Sequence, residues 1–278
     1  MKKICIAVFC CAAAFELAAQ PTAPVATPLG AYAKSLQSPA RVAVDSAGYV
    51  YVTDPTAGQV CVFDAFGRLV TTHAGLAQPL GIAVDAQGRI YLAEEQTGSV
   101  SVFDAQWRLL YRLGQGNGEF QLPNHIALDP ASAGSTVYVS DSTANLVKVY
   151  VGTTLTHWFG TAGSGNGQFD FPTGICVGTN GGGEIFVVDQ DNYRMQVFGL
   201  AGNFLRAFDL GSSSRFQAAS LDRAGRLYVV DTFQGIVKVF DPASGVPLST
   251  IGSFGQSPGE LDSPAGLALD PVNRLFVV

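Results

Sequence analysis

Gly81-Ile-Ala-Val-Asp-Ala-Gln-Gly-Arg-Ile-Tyr-Leu-Ala-Glu94 is a short apolar run, a turn signal, and a second apolar run that stops on an acid. The same plan recurs with substitutions at 41–54, 125–141, 174–189 and 218–231, and a sixth copy runs from Gly266 to Val278. The aromatic of the second run falls at Tyr51, Tyr91, Tyr138, Phe186, Tyr228 and Phe276, giving spacings of 40, 47, 48, 42 and 48 residues. A period in the forties accommodates four short strands per unit, which is the arithmetic of a β-propeller blade.

Each unit opens with Pro39, Pro79, Pro123, Pro172 or Pro264, and with Phe216 in the fifth copy. The apolar run that follows, such as Val42-Ala43-Val44, reads as a strand buried on both faces, with proline at its entrance. It ends at Asp45, Asp85, Asp129, Asp222 or Asp270, with Gly178 the exception. In three copies that aspartate begins Asp-x-x-Gly, ending at Gly48, Gly88 and Gly225. Aspartate first and glycine fourth is a type I turn preference, so the turn reading is preferred to a metal-binding ring of carboxylates. Second strands are expected at 49–53, 90–93, 137–140, 185–188 and 227–230, ending on Asp54, Glu94, Asp141, Asp189 and Asp231. Third strands alternate, as in Val237-Lys238-Val239-Phe240, and fourth strands such as 69–72, 109–113 and 204–208 suit an outer edge. The Gly-rich stretches 114–120, 160–169 and 252–261 lead into another strand, not a helix, so they read as crossover loops and not phosphate cradles. The aromatic in two of them is expected to pack between adjacent blades.

Residues 1–19 read as a secretory signal, with Lys2 and Lys3, an apolar run over 4–15, and Ala18-Ala19 before a cleavage point. The run is too short for a membrane-spanning helix, and Glu16 interrupts it. Residues 20–27 form a short leader and 28–278 the propeller, exported to the periplasm or the extracellular space. The chain holds 16 basic and 22 acidic residues; without Lys2, Lys3 and Glu16 the balance is 14 against 21. No Lys/Arg cluster is present, which argues against a sequence-independent grip on nucleic acid. Outside the leader only Cys61 and Cys176 remain. Cys176 takes a slot held elsewhere by Ala43, Ala83 and Ala127, so it reads as a small buried filler. Cys61 reads as a free and exposed thiol.

The segment Val188-Asp189-Gln-Asp-Asn192-Tyr-Arg194-Met-Gln-Val197-Phe198 carries Asp, Asn, Arg and Val-Phe in the order of the NHL repeat, and the chain from 28 to 278 resembles that family. The resemblance implies a six-bladed ring closed by a strand from the other terminus, for which 29–37 has the look of a fourth strand. The sixth blade is then expected to be incomplete: the C-terminal copy supplies its first two strands and nothing supplies a third. Unpaired edges are avoided in natural sheets, so the sequence is expected to be cut short.

In that topology the loops entering the first strands share a face with those joining second to third strands. Two residues after each opening position the central mouth carries Arg41, Gly81, His125, Gly174, Ala218 and Gly266, of which Arg41 and His125 can bind an anion or coordinate a metal. Glu94, Tyr193, Arg194 and Phe233 lie in the second-to-third-strand loops, where they suit a protein or glycan contact or else stabilise the loops, Asp189 capping backbone amides and Arg194 stacking on or pairing with the next blade. Some NHL-like lyases hold zinc with three histidines, but of His73, His125 and His157 only His125 falls at the mouth, so it is at most a weak metal candidate and no cofactor is expected. No nucleophile–base pair is identifiable, and no residue is assigned a catalytic role. The leading expectation is a monomeric, non-enzymatic scaffold for a protein, peptide or cell-surface polymer. The alternative is an extracytoplasmic metal-dependent lyase or lactone hydrolase working at the mouth.

Overall fold

The computed structural model describes residues 5–12, 23–33, 36–115, 119–132, 134–178, 183–212 and 214–278. They form strands throughout, apart from one 3-10 turn at Pro130–Ser132. Five antiparallel sheets each use four consecutive strands. The first contains β3 (Val42–Val44), β4 (Val50–Asp54), β5 (Gln59–Phe63) and β6 (Leu69–Ala74). The second contains β7 (Pro79–Val84), β8 (Ile90–Glu94), β9 (Ser99–Phe103) and β10 (Leu109–Leu113). The third contains β11 (Pro123–Leu128), β12 (Thr136–Asp141), β13 (Leu146–Val151) and β14 (Thr154–Phe159). The fourth contains β15 (Pro172–Gly178), β16 (Glu184–Asp189), β17 (Arg194–Gly199) and β18 (Phe204–Asp209). The fifth contains β19 (Phe216–Leu221), β20 (Leu227–Asp231), β21 (Ile236–Phe240) and β22 (Pro247–Ile251). These are propeller blades, and the blades that one stretch of chain builds number five, not six.

Between the fifth blade and the first lies a composite sheet drawn from both ends of the chain. β23 (Leu267–Leu269) and β24 (Arg274–Val277) come from the C-terminal end, and β1 (Cys5–Ala12) and β2 (Val25–Ala33) from the N-terminal end, in the order β2-β1-β24-β23. β23 touches both β19 and β3, which closes the ring. The N-terminal region does supply the outer strand, at 25–33 and not 29–37. The expectation that nothing supplies a third strand is corrected: β1 pairs with β24 from Ala7↔Val277 to Cys10↔Arg274, and with β2 along its whole length. An apolar run of eight residues has the length and character of a buried strand as well as of a leader, and an open edge at β24 gives it hydrogen-bond partners.

Burial follows the order of strands. β8 and β20 are buried at every position, while β6 is exposed at nearly every one. The apolar clusters span neighbouring sheets: Val100 and Leu113 meet Ile126, Val139 and Tyr150, with Phe120 of the crossover loop between them. Phe169 and Leu261 fill the equivalent wedges further round the ring. The aromatics of two crossover loops, Phe120 and Phe169, therefore pack between blades as expected, each buried apolar side chain contributing roughly 1.5–3 kcal/mol. Cys176 is buried and unbridged, as its alanine counterparts imply. Cys61, expected to be exposed, is buried too, with its Sγ 3.7 Å from Thr72 Oγ1. It lies in an apolar cluster with Val52, Phe63, Phe276 and Val278, so the neighbouring composite sheet covers the slot.

Candidate functional site

The aspartates at the ends of the innermost strands are consumed by turns. In Asp85 one carboxylate oxygen accepts the amides of Gln87 and Arg89 at 2.9 and 2.8 Å, while Gly88 N closes the turn onto Asp85 O at 3.0 Å. The other oxygen takes Arg89 Nε at 2.6 Å. Asp222 repeats this with Ala224, Arg226 and the Tyr228 hydroxyl, and Asp270 with Val272 and Arg274. Asp45 lacks the arginine and takes the Tyr51 hydroxyl instead. The arginine four residues after the aspartate is legible as Asp-x-x-x-Arg, and it recurs at Asp64–Arg68 and Asp104–Arg108 in the third-to-fourth-strand turns. With its lone pairs so engaged, this ring of acids offers a metal little.

The acids that end the second strands anchor the loop entering each blade. Asp54 accepts the amides of Gln37 and Ser38, and Asp141 those of Gln121 and Leu122. Asp189 accepts Asp170 N. Third-strand residues complete these nodes, as Lys148 does for Asp141 at 3.1 Å and Lys238 for Asp231 at 3.0 Å. Two of the candidate residues fall in this class. Glu94 is buried, accepting Ala77 N at 3.0 Å and a short bond from Ser101 Oγ. Arg194 pairs with Asp189 at 2.7 Å and donates to Gly165 O and Gln168 O, tying down the crossover loop. Tyr193 and Phe233 remain open to solvent, 40% and 65% exposed, at the tips of their turns.

Arg41 and His125 do come together at the mouth. Both are over nine-tenths buried, at 4% and 8% exposure. β-bulges at the entrance of the innermost strands, between Pro123 and His125 and at three equivalent places, break the regular register there, while Arg41 lies just before its strand. Hydroxyls one residue before the second-strand acid hold the entrance: Thr53 Oγ1 accepts Arg41 N at 3.0 Å, and Ser140 Oγ accepts His125 N at 3.1 Å. The glycines at the mouth leave no open room, because the backbone of the neighbouring blade fills the space a side chain would take. A Cβ on Gly81 would stand 2.7 Å from Asn124 O, and one on Gly266 2.8 Å from Ala40 O.

The Arg41 guanidinium crosses the mouth and finds only neutral acceptors: Ala40 O at 2.9 Å, Ala265 O at 3.0 Å, Asn124 Oδ1 at 2.5 Å, and Gln217 Oε1 at 3.4 Å. Its Nε has no acceptor, and neither does His125 Nδ1 have a partner. Burial, and then the charge of Arg215, lower the Arg41 pKa to about 10. Burial, and then the Arg41 charge, push His125 down to about 3, so its imidazole is neutral at physiological pH. Asn124, Gln217 and Arg215 were not among the sequence candidates. Asn124 and Gln217 sit one residue after the opening position, where other copies carry Ala40, Leu80 and Ala265, so disagreement between copies would have found them.

A metal ion does not fit here. Among the described residues no three His, Cys, Asp or Glu side chains gather as a ligand set. His73 stacks on Trp107 at the rim, with centroids 3.9 Å apart, and His157 lies on the outer strand β14. A cation beside His125 would face the Arg41 charge with no carboxylate to offset it. Neither Cys61 nor Cys176 is an activated thiol, since burial raises the pKa of both.

No protein-family model matches the chain, and no curated protein matches it in sequence. Solved structures share its fold. A virginiamycin B lyase from Staphylococcus aureus, crystallised with quinupristin, is 14% identical over 91% of this chain and 84% of its own, with a TM-score of 0.63. A gluconolactonase from Xanthomonas campestris is 17% identical over 88% and 84%, with a TM-score of 0.69. A chain of the nidogen/laminin complex is 18% identical over 94% and 97%, also with a TM-score of 0.69. The chain is thus a β-propeller of four-stranded blades. The architecture it shares serves enzymes and binding proteins alike. Among the described residues no helix is long and apolar enough to cross a membrane.

Proposed function

We propose that this chain is an exported, NHL-type propeller that acts as a monomeric binding scaffold for a protein, peptide or cell-surface polymer. The observation that carries the reading is the contrast on the loop face. There Glu94 and Arg194 are spent on holding loops, while Phe233 and Phe254 stand 65% and 64% exposed. The turn bearing Phe233 meets the loop bearing Phe254, since Gly235 packs against the Phe254 Cα. Exposed aromatics on a rigid ring are the kind of anchor that binding surfaces use. A Phe233→Ala/Phe254→Ala variant should keep the circular dichroism spectrum and melting temperature of the parent, yet lose retention on cell-envelope fractions of the producing organism. Equal retention would remove the basis for this face.

A metal-dependent lyase or lactone hydrolase at the mouth is the competing function, suggested by the enzymes that share the fold. Metal analysis of the purified protein separates the two. Stoichiometric zinc or calcium that disappears in His125→Ala would replace the scaffold reading with the enzymatic one.

A further inference from the structure

The charge inventory of this molecule has one anomaly. Among the described residues seven arginines pair with an aspartate or glutamate within 4.0 Å. Arg41, at 4% exposure, pairs with none. Neutral carbonyl and amide oxygens satisfy most of its donors, but they leave its unit charge uncompensated in a site that water hardly reaches, and one N–H has no acceptor at all. A second guanidinium, that of exposed Arg215, is carried two residues before Gln217, whose Oε1 Arg41 reaches at 3.4 Å, and its charge opposes that of Arg41. Two like charges at the centre of one face, on a chain of net charge −6, are held against their own electrostatics. Folding alone gives no reason for that arrangement, whereas an incoming anion would relieve it.

The chemistry of the anion is narrowed by what adjoins it. Guanidinium groups present planar forks that match a carboxylate, through charge-assisted hydrogen bonds. The Arg215 carbonyl accepts Thr232 N at 2.9 Å, so Arg215 is tied to the turn that carries Phe233. We propose that the channel mouth is a carboxylate site, in which Arg215 takes the carboxylate at the surface, Arg41 supplies the buried charge beneath it, and Phe233 receives an apolar group of the same ligand. The ligand is therefore an organic acid with an aromatic or aliphatic substituent, either a free small molecule or the C-terminus of a peptide. The inference rests on the loop face being the binding face, and it names the group that face recognises.

The test uses N-acetylphenylalanine and its uncharged amide as probes, by calorimetric titration of the full chain at fixed ionic strength. The acid binds and the amide does not. Arg215→Ala, a change at an exposed residue, weakens the acid about tenfold or more, the loss of one charge-assisted contact. Arg41→Gln abolishes binding; should that variant fail to fold, the Arg215→Ala comparison decides alone. A peptide ending in phenylalanine, with a free or an amidated C-terminus, distinguishes the sources. Tighter binding of the free-ended peptide than of N-acetylphenylalanine assigns the site to chain ends, and the reverse assigns it to small acids. Equal binding of acid and amide, or an Arg215→Ala variant that binds like the parent, overturns the carboxylate site. If Phe233→Ala alone abolishes probe binding, the binding face survives and only its anionic centre falls. If no variant and no probe shows an effect, both fall.

Discussion

His125 and the aspartates show how one residue type acquires its character from its neighbours. Asp222 and Asp64 share a motif, yet the Arg226–Asp222 pair is buried, with side chains 2% and 0% exposed, while Arg68 beside Asp64 is 76% exposed. The first pair is part of the packed interior and the second is a solvated turn, screened by water and salt. His125 can be tested directly. Burial, then Arg41, hold it near 3, whereas an unfolded chain binds that proton below about 6.5. The unfolded state therefore carries the extra proton at acid pH, so the stability linked to His125 is complete above about 6.5 and is lost as pH falls toward 3. Replacing it with glutamine should flatten the acid side of the stability profile between about pH 6.5 and 4.5, by up to roughly 1.4 kcal/mol per pH unit. Urea unfolding at stepped pH reads this, and an unchanged acid slope would show that the imidazole is not held neutral.

Among the strands and turns, the innermost strands set the tightest tolerance. Gly81 and Gly174 lie where the next blade's first strand passes, and an added Cβ would meet backbone at 2.7–2.9 Å and 2.8–2.9 Å respectively. Backbone cannot swing aside like a side-chain tip, so Gly81→Ala should cost roughly 1–3 kcal/mol by overpacking. Gly75→Ala is the control. Its Cβ meets nothing within 4 Å, and only its φ of +79° opposes the change, at about 1 kcal/mol. Comparable melting temperatures for the two variants would mean that the close approach of blades is not what requires Gly81. The wedge aromatics give a second measure: Phe169→Ala removes a fully buried ring shared by two blades, and should cost roughly 3–5 kcal/mol in urea unfolding. A cost under about 1 kcal/mol would show that the wedge collapses without it. Strand order, the Asp-x-x-Gly turns and the wedge role of Phe120 and Phe169 were all legible in the sequence, because each is fixed by local geometry and apolar pattern. The burial of Cys61 was not, since an alternating strand tells which residues share a face but not what covers that face.

For the whole molecule the open question is what closes the ring. Residues 5–12 cannot serve in one molecule both as a removed leader and as β1. If export through residues 1–19 holds, the intact mass of the exported protein corresponds to a chain beginning at Gln20. Amides of Arg274–Val277 then exchange faster in that chain than in one beginning at Met1, because β24 has lost its neighbour. An exported chain that keeps Met1 would overturn the leader reading and leave β1 as a working strand. By itself the sequence determined the period, the strands within it, the turn aspartates and the two residues that break the symmetry of the mouth, since these follow from spacing and from the conformations that single residue types favour. Tertiary structure alone decided that residues 5–12 form a third strand of the sheet the two chain ends share, and that, of the loop candidates, Glu94 and Arg194 are the ones that hold loops. It also decided that Arg41 lies among neutral oxygens beside a second arginine. Those outcomes depend on groups far apart in the chain, such as Ala7 with Val277 and Arg41 with Ala265, and no local pattern encodes which of them will meet.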